Sequence, residues 1–277
     1  MKTRLVTDCA ANICQKVDKE IAYVPLVITT DDREFRDDEN LDVSEMMEYL
    51  KNYKGKSGTA CPGIADWLYA FQGADMILGV AITSGLSGCY NSARNAVEQY
   101  REDNPDVKIY IVDSLTAGPE MTLMVERLSD FIDQELEFDE IIKRIEEYKK
   151  HSHIIFSLES LDNFVNNGRI SPIIAKAVSA LGIRVIATGS EEGTIEPIHK
   201  ARGQKKAIIQ IYKCMKEYGY KGGKVRISHT FNEEGAGAVK ALIHKEYPEA
   251  DVTIQENRGL CSYYSELGGI LVGFDDL

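Results

Sequence analysis

Residues 76–88 read Met-Ile-Leu-Gly-Val-Ala-Ile-Thr-Ser-Gly-Leu-Ser-Gly. The apolar run over 76–82 is typical of a strand buried on both faces, as in a parallel sheet covered by helices. A glycine-rich turn follows over 83–88, and a helical pattern then extends over about 90–101. This strand–turn–helix unit predicts an α/β fold with a mostly parallel sheet.

The alternation of strand and helix continues on both sides of this unit. A short apolar run ends at Asp8, and a β-rich stretch follows over 21–30. Asp42 with Glu45 forms a capping box that predicts a helix through about Tyr53. Beyond the turn, the pattern predicts a strand over 107–112 and helices over about 120–134 and 138–150. We expect these elements to form an N-terminal domain over 1–155, with helices on both faces of its sheet.

The second half of the chain has a different rhythm. Strand patterns over 183–187 and 194–200 flank the turn at 189–193 and predict an antiparallel hairpin. The remaining patterns predict helices over 204–218 and 233–246 and strands over 224–228, 251–255 and 270–274. We therefore expect a C-terminal α/β domain over 156–277 with a mixed or antiparallel sheet, packed closely against the first.

Composition and charge exclude several classes of function. The 277 residues carry 32 basic and 44 acidic side chains, and this net charge of −12 disfavours nucleic acid and an anionic membrane surface as partners. No apolar stretch approaches the length of a membrane-spanning helix, and the first residues do not resemble a signal peptide. Six scattered cysteines without a CxxC pair indicate reduced thiols and a cytoplasmic location. The five histidines show no metal-ligand spacing, so we expect no metal site.

The glycine-rich turn admits two interpretations. Its backbone N–H groups and the hydroxyls of Ser84 and Ser87, with Gly85 allowing a sharp bend, would form an anion site beyond the carboxyl end of a strand. Alternatively, it is an ordinary strand-to-helix turn in which a serine caps the helix. Two more specific sequence motifs are not matched. A nucleophile elbow needs glycine at the position of Cys89, and a P-loop needs glycine at the position of Leu50.

Two other segments carry candidate binding residues. The Thr59 hydroxyl is available to a ligand or as a helix cap, and Cys61 is either a thiol activated by a helix start or a small apolar residue. Arg169 follows a turn and precedes a Ser-Pro helix start, where its guanidinium is suited to an anion or to a surface carboxylate. Asp8 and Asp113 each end a strand, and we expect both to cap loops.

Eight short motifs occur in the order and approximate spacing of the DegV family of bacterial fatty-acid-binding proteins. They cover almost the whole chain: Val6-Thr7-Asp8, Val24-Pro25-Leu26, Phe35-Arg36-Asp37, Thr59-x-x-Pro62, Ser84-Gly85-Leu86-Ser87-Gly88, Val112-Asp113-Ser114, Gly168-Arg169-Ile170-Ser171 and Arg202-Gly203-x-x-Lys206-Ala207. Each motif is weak alone, but eight in order are specific. The sequence therefore resembles this family, which includes the binding subunits of bacterial fatty acid kinase.

The resemblance implies a function. It implies a two-domain α/β protein without a cofactor or catalytic residues of its own, which encloses one long-chain fatty acid with the carboxylate at the domain interface. A separate ATP-dependent kinase subunit would convert this carboxylate to an acyl phosphate. The alternative that stays open is an enzyme that transfers an acyl or phosphoryl group at the Ser84 turn.

The resemblance also implies site residues. Thr59 and Ser84 match the family's carboxylate ligands, Arg169 matches an arginine near the head group, and Cys61, Gly85 and Ser87 belong to the same segments. This chain departs from the family at two places. Ala60-Cys61 stands where many members have Ser-Gln, and Tyr264 stands where many members have a histidine that reaches the ligand.

Overall fold

The structure, a computed structural model, describes residues 2–13, 21–171 and 182–277. The strands in these ranges are β1 Thr3–Asp8, β2 Ile21–Val24, β3 Val27–Thr30, β4 Glu34–Arg36, β5 Ser57–Ala60, β6 Met76–Ala81, β7 Lys108–Asp113, β8 Ser152–Leu158, β9 Ile183–Gly189, β10 Ile195–Arg202, β11 Val225–His229, β12 Val252–Glu256 and β13 Ile270–Asp275. The helices are α1 Val43–Asn52, α2 Ile64–Phe71, α3 Cys89–Asp103, α4 Pro119–Asp133, α5 Phe138–Tyr148, α6 Asp162–Asn166, α7 Gln204–Glu217, α8 Glu233–Glu246 and α9 Gly259–Ser265. None of these helices has the length and apolar character needed to cross a membrane.

The N-terminal half contains the predicted parallel sheet, in the strand order β2-β1-β6-β7. Every residue of β6 is buried, which explains its uninterrupted apolar sequence. Helices α2 and α3 pack together against the sheet, and α4 and α5 do the same. The predicted α/β class is confirmed.

A second, antiparallel sheet of the N-terminal half was not predicted. It has the order β4-β3-β5, and its apolar side chains pack with Met46, Met47 and Tyr263. The β-rich stretch over 21–30 divides into β2 and β3 on either side of Pro25, which lacks the N–H needed to continue a ladder. Helix α9, near the carboxyl end of the chain, thus packs onto a sheet of the N-terminal half.

The C-terminal sheet has the order β10-β9-β8-β13-β11-β12, and its one parallel pair is β11 with β12. The predicted hairpin is confirmed as the antiparallel pair of β9 and β10. The expected division at residue 155 falls inside β8, which pairs with β13 from Ser152 onward. The boundary between the two sheets therefore lies before residue 152, because the whole of β8 belongs to the C-terminal sheet.

Helix α4 connects the two halves. It contacts β1 and β6 of the parallel sheet and also β8, β11 and β13 of the C-terminal sheet. Arg226 on β11 strengthens this connection through a two-pronged contact with Glu126 on α4, at 2.7 and 2.8 Å. Helix α4 thus packs against the sheets of both domains.

A candidate ligand site between the domains

A cavity of about 870 Å³, part of it open to solvent, lies between the two domains. One side is the edge of the parallel sheet where β1, β6 and β7 end, which is the usual ligand position in α/β folds. The other side is a face of the C-terminal sheet.

The face of the C-terminal sheet supplies apolar side chains by strand alternation. Ile154, Phe156 and Leu158 of β8 line the cavity, while Ile155 points to the opposite face and joins the core beneath α7. Leu271 of β13 lies directly across from Phe156 and lines the cavity as well. The remaining apolar wall is contributed by both domains: Ala10, Leu26, Ile82, Leu86, Leu115, Ala117, Phe164, Ile195, Leu260 and Cys261.

Two hydroxyl groups meet in the cavity wall. Thr59 Oγ1 on β5 lies 2.8 Å from the phenol oxygen of Tyr264 on α9, and either can donate. The Tyr264 ring stacks on Phe164, with 4.7 Å between ring centroids. Burial raises the pKa of Tyr264, and the bond to Thr59 and the charge of Arg169 oppose that shift. The phenol therefore stays neutral and able to donate near pH 7.

Arg169 is the one charged side chain among the described residues of the cavity wall. Its Nε donates to Leu86 O at 2.8 Å and its Nη1 to Asn167 O at 2.6 Å. These bonds fix the side chain against the glycine-rich turn and use two of the five N–H donors of a guanidinium. Within the described residues no further hydrogen bond of this guanidinium is seen, so its other donors can face an anion at the cavity mouth.

The glycine-rich turn differs from the prediction of free N–H groups. Ser84 N donates to Asp113 Oδ1 at 3.0 Å, Gly85 N donates to Thr83 Oγ1, and the N–H groups of Leu86 and Ser87 both reach Thr83 O. Thr83 and Asp113 thus satisfy the backbone donors that an anion would need.

The predicted site residues separate into two groups. Thr59, Ser87, Arg169 and Tyr264 line the cavity, whereas Ser84, Gly85 and Cys61 do not. Ser84 and Cys61 are exposed, and Cys61 lies beside the start of α3 at Gly88. Of the two serines in the turn, the structure brings Ser87 to the cavity: its Oγ accepts from Cys89 N at 3.2 Å, which leaves its O–H able to donate.

Two aspartates at strand ends hold β1, β7 and the glycine-rich turn in place. Asp8 is fully buried and accepts from Ala10 N, Ile82 N and the Cys89 thiol, so it joins β1 to both ends of the turn. Burial raises the pKa of Asp8 to about 6, against these hydrogen bonds. Asp113 accepts from Ser84 N and Leu115 N. The predicted capping roles of Asp8 and Asp113 are confirmed.

Asp37 was not predicted to contribute. Its two carboxylate oxygens accept from Gly259 N and Leu260 N at 3.0 and 2.8 Å and hold the start of α9. Burial raises the pKa of this carboxyl group, against these bonds and the charge of Arg258. Asp37 thereby positions the helix that carries Tyr264. The sequence signal was its place in Phe35-Arg36-Asp37, one of the eight motifs.

The turn of the β9–β10 hairpin closes one side of the cavity. Thr83 Oγ1 donates to Gly193 O at 2.9 Å, and the hairpin backbone at Glu192 lies where a side chain at Gly85 would stand. Gly193 has φ +71°, and a Cβ there would stand 2.0 Å from Thr83 Oγ1. Only glycine fits this contact between the two domains.

A model of the family described as "Uncharacterised protein, DegV family" matches residues 2–274 of this chain. A DegV domain-containing protein of Streptococcus pneumoniae is 42% identical over 259 residues, which are 94% of this chain and 92% of that protein.

Two solved structures share the whole architecture. A DegV family protein from Eubacterium eligens, loaded with heptadecanoic acid, is 42% identical with a TM-score of 0.96, covering 99% of this chain and 100% of that one. The fatty acid kinase B3 protein of Streptococcus pneumoniae, loaded with linoleic acid, is 39% identical with a TM-score of 0.97 and full coverage of both chains. The chain therefore belongs to the DegV family.

Proposed function

We propose that this protein binds one long-chain fatty acid in the cavity between its domains and presents the carboxylate to a separate ATP-dependent kinase. The observation that carries the proposal is the composition of the cavity wall. Apolar side chains from both domains form most of it, and its charged residue, Arg169, shares the wall with the hydroxyl groups of Thr59, Ser87 and Tyr264. An amphiphile with one anionic end matches this distribution.

Energetic magnitudes support a long acyl chain. Burial contributes about 0.8 kcal/mol per methylene, so some fifteen methylenes supply roughly 12 kcal/mol before the entropy of association is subtracted. An unpaired carboxylate in the same cavity would cancel several kcal/mol of that gain. Hydroxyl donors and a guanidinium prevent this loss. The apolar wall thus supplies affinity, and the polar end supplies orientation.

The similar structures agree with this proposal. The relatives from E. eligens and S. pneumoniae hold fatty acids of similar length. The S. pneumoniae protein is named fatty acid kinase B3 protein, which supports a kinase partner for this chain. For the alternative of group transfer at Ser84, the described residues offer no support, since Ser84 is exposed and its neighbour Asp113 accepts from backbone N–H groups.

The direct experiment is mass spectrometry of lipid released from denatured, purified protein. We expect about one equivalent of long-chain fatty acid, and a rise in thermal stability when fatty acid is added to stripped protein. Preparations that contain no stoichiometric lipid and gain no stability from added fatty acid would show that the cavity has another ligand.

The hydroxyl groups of the polar end can be tested one at a time. Ser87→Ala, Thr59→Val and Tyr264→Phe each remove a bond to a charged group worth about 1.5–3 kcal/mol, so fatty acid affinity should fall about tenfold or more. Ser84→Ala is the matched control in the same turn and should keep wild-type affinity. If Ser84→Ala instead shows the loss and Ser87→Ala does not, the carboxylate lies on the solvent side of the turn. Fluorescent fatty acid displacement measures all four.

The tyrosine at position 264 also predicts a pH profile. A neutral phenol does not change charge near pH 6.5, whereas histidine does. Fatty acid affinity of the wild type should therefore show no titration from this position, and Tyr264→His should bind more tightly below about pH 6.5 than above it, because imidazolium attracts the carboxylate. Affinities measured across this range test the expectation, and a flat profile for Tyr264→His would place the residue away from the head group.

Arg169 is expected to matter more for transfer than for binding. A carboxylate held by three hydroxyls needs little more charge, but a phosphoryl group arriving on it brings further negative oxygens that a fork of donors stabilises. Arg169→Ala should weaken fatty acid binding only about two- to fivefold and slow acyl phosphate formation by the kinase at least about tenfold.

The control for this prediction is Arg94→Ala, since Arg94 is an exposed arginine on α3 outside the cavity wall. Dissociation constants and coupled phosphorylation rates are measured on both variants. Equal losses in the two measurements would make Arg169 a ligand clamp only, and no loss in either would make it a surface residue.

A further inference from the structure

Three potential metal ligands meet on the C-terminal domain, on the face of its sheet that points away from the cavity. His199 on β10 and Cys214 and Glu217 on α7 place one ligand atom each within 4.8 Å of the others. We propose that these three residues bind a divalent metal ion of the zinc class, with a fourth position left for water or a donor from another molecule. This site is independent of the fatty acid proposal.

The backbone brings these residues together by two local features. Cys214 and Glu217 are three residues apart on α7, so their side chains share one helix face. A β-bulge in β10 turns His199 toward that face. Pro197 pairs with Ala187 but His199 pairs with Ile186, so Ile198 is an extra residue between them.

The bulge decides which face His199 occupies. In an antiparallel pair, directly opposed residues point to the same face of the sheet. Ile186 packs in the same core cluster as Cys214, whereas Ala187 packs in the cluster on the cavity side. Without the extra residue, position 199 would face the cavity side. Bulges of this kind commonly redirect a side chain at a functional site.

The ligand set suits zinc better than magnesium or calcium. Thiolate, imidazole and carboxylate are the three ligand types that Zn²⁺ accepts, whereas the hard cations prefer oxygen alone. Tetrahedral Zn²⁺ at ordinary bond lengths separates its ligand atoms by about 3.3–3.8 Å. The three ligand atoms lie within 4.8 Å of one another, and the exposed side chains of His199 and Glu217 have room to rotate toward this closer spacing.

The Cys214 thiol carries its proton when no metal ion is bound. Cys214 is buried, and Gln210 Nε2 donates to its sulfur at 3.5 Å. Burial and the nearby charge of Glu217 raise the pKa of this thiol, which is therefore protonated at neutral pH. Binding of the ion displaces this proton to solvent, as metal–thiolate bonds require. The sequence prediction of no metal site rested on histidine spacing, and His199 lies too far from Cys214 along the chain for spacing to reveal the pair.

The experiment is titration of full-length protein with Co²⁺ under reducing conditions, followed by competition with Zn²⁺. Sulfur-to-cobalt charge-transfer absorption reports thiolate ligation, and strong visible bands report four-coordinate geometry. We expect one equivalent of bound Co²⁺, displaced by Zn²⁺. Cys214→Ser should abolish the charge-transfer band, and His199→Ala and Glu217→Gln should each weaken binding at least about tenfold.

Matched controls distinguish this site from other thiols and surface carboxylates. Cys61→Ser removes an exposed thiol, Cys14→Ser removes one outside the described residues, and Glu249→Gln neutralises an exposed acid of the same domain. All three should keep the full cobalt signal. His199 and Glu217 are exposed, so their variants should fold even if Cys214→Ser does not. A signal unchanged in His199→Ala and Glu217→Gln, or lost in Cys61→Ser or Cys14→Ser, would overturn the proposal.

Discussion

Replacing Ala117 by phenylalanine is expected to lower the affinity for long-chain fatty acid on the order of a hundredfold. Ala117 lines the cavity from the loop that precedes α4. A phenyl ring there takes the space of about four methylenes, and at about 0.8 kcal/mol each their displacement costs about 3 kcal/mol of binding. Dissociation constants and the amount of co-purified lipid measure the loss.

The control for this prediction introduces phenylalanine at a different alanine, Ala74. Ala74 is also a half-buried alanine that packs against the N-terminal core, but it lies outside the cavity wall. Ala74→Phe should keep wild-type affinity, and thermal unfolding of both variants shows whether either has lost its fold. A well-folded Ala117→Phe protein that still carries one fatty acid with unchanged affinity would mean that the acyl chain lies somewhere else.

Gly193→Ala is expected to destabilise the protein strongly. Its Cβ would stand 2.0 Å from Thr83 Oγ1 and 2.9 Å from the backbone of Leu115, in addition to the strain of a left-handed φ. Backbone atoms cannot yield as a flexible side chain does, so the hairpin must move away from the turn. We expect the free energy of unfolding to fall by about 2–4 kcal/mol and fatty acid binding to weaken.

Gly73→Ala separates the two causes of this effect. Gly73 has a similar φ of +74°, and a Cβ there meets no atom within 4 Å. It should lose only the roughly 1 kcal/mol of conformational strain, and its fatty acid affinity should be unchanged. Denaturant unfolding and lipid titration on the two variants make the comparison. Equal losses of stability would show that the hairpin is not pressed against the Thr83 turn.

Local patterns in the sequence predicted most of the fold. The structure contains the predicted buried strand β6, the predicted cap by Asp42 at the start of α1 and the predicted hairpin turn at 189–193, each of which depends mainly on residues close together in the sequence. The three-stranded sheet was not predicted because its strands are three or four residues long and pair across distant positions. Such pairing depends on tertiary contacts, in this case with α1 and α9.

Part of the candidate site was predictable because the family resemblance chose between the alternative uses of single residues. Thr59, Arg169 and Tyr264 followed from hydroxyl and guanidinium chemistry combined with the family resemblance, and they line one cavity. The sequence pointed to Ser84 and Ser87 alike. That Ser87 lines the cavity and Ser84 does not was not predictable, because both serines stand in the same turn and their placement depends on contacts of Thr83 and Asp113. The apolar wall was not recognised either, because Phe156 and Leu271 look like ordinary core residues until two sheets are placed face to face.

The placement of the cavity between two domains also has a consequence for the lifetime of the protein. If the protein binds a fatty acid there, as proposed, the ligand becomes part of the buried hydrophobic core, so a molecule that holds one would open less often than a molecule that does not. At a thousandfold excess over the dissociation constant, a ligand adds about 4 kcal/mol of stability. Proteases act on transiently opened chains, so under the proposed function the steady-state amount of the protein in a cell would follow the supply of fatty acid.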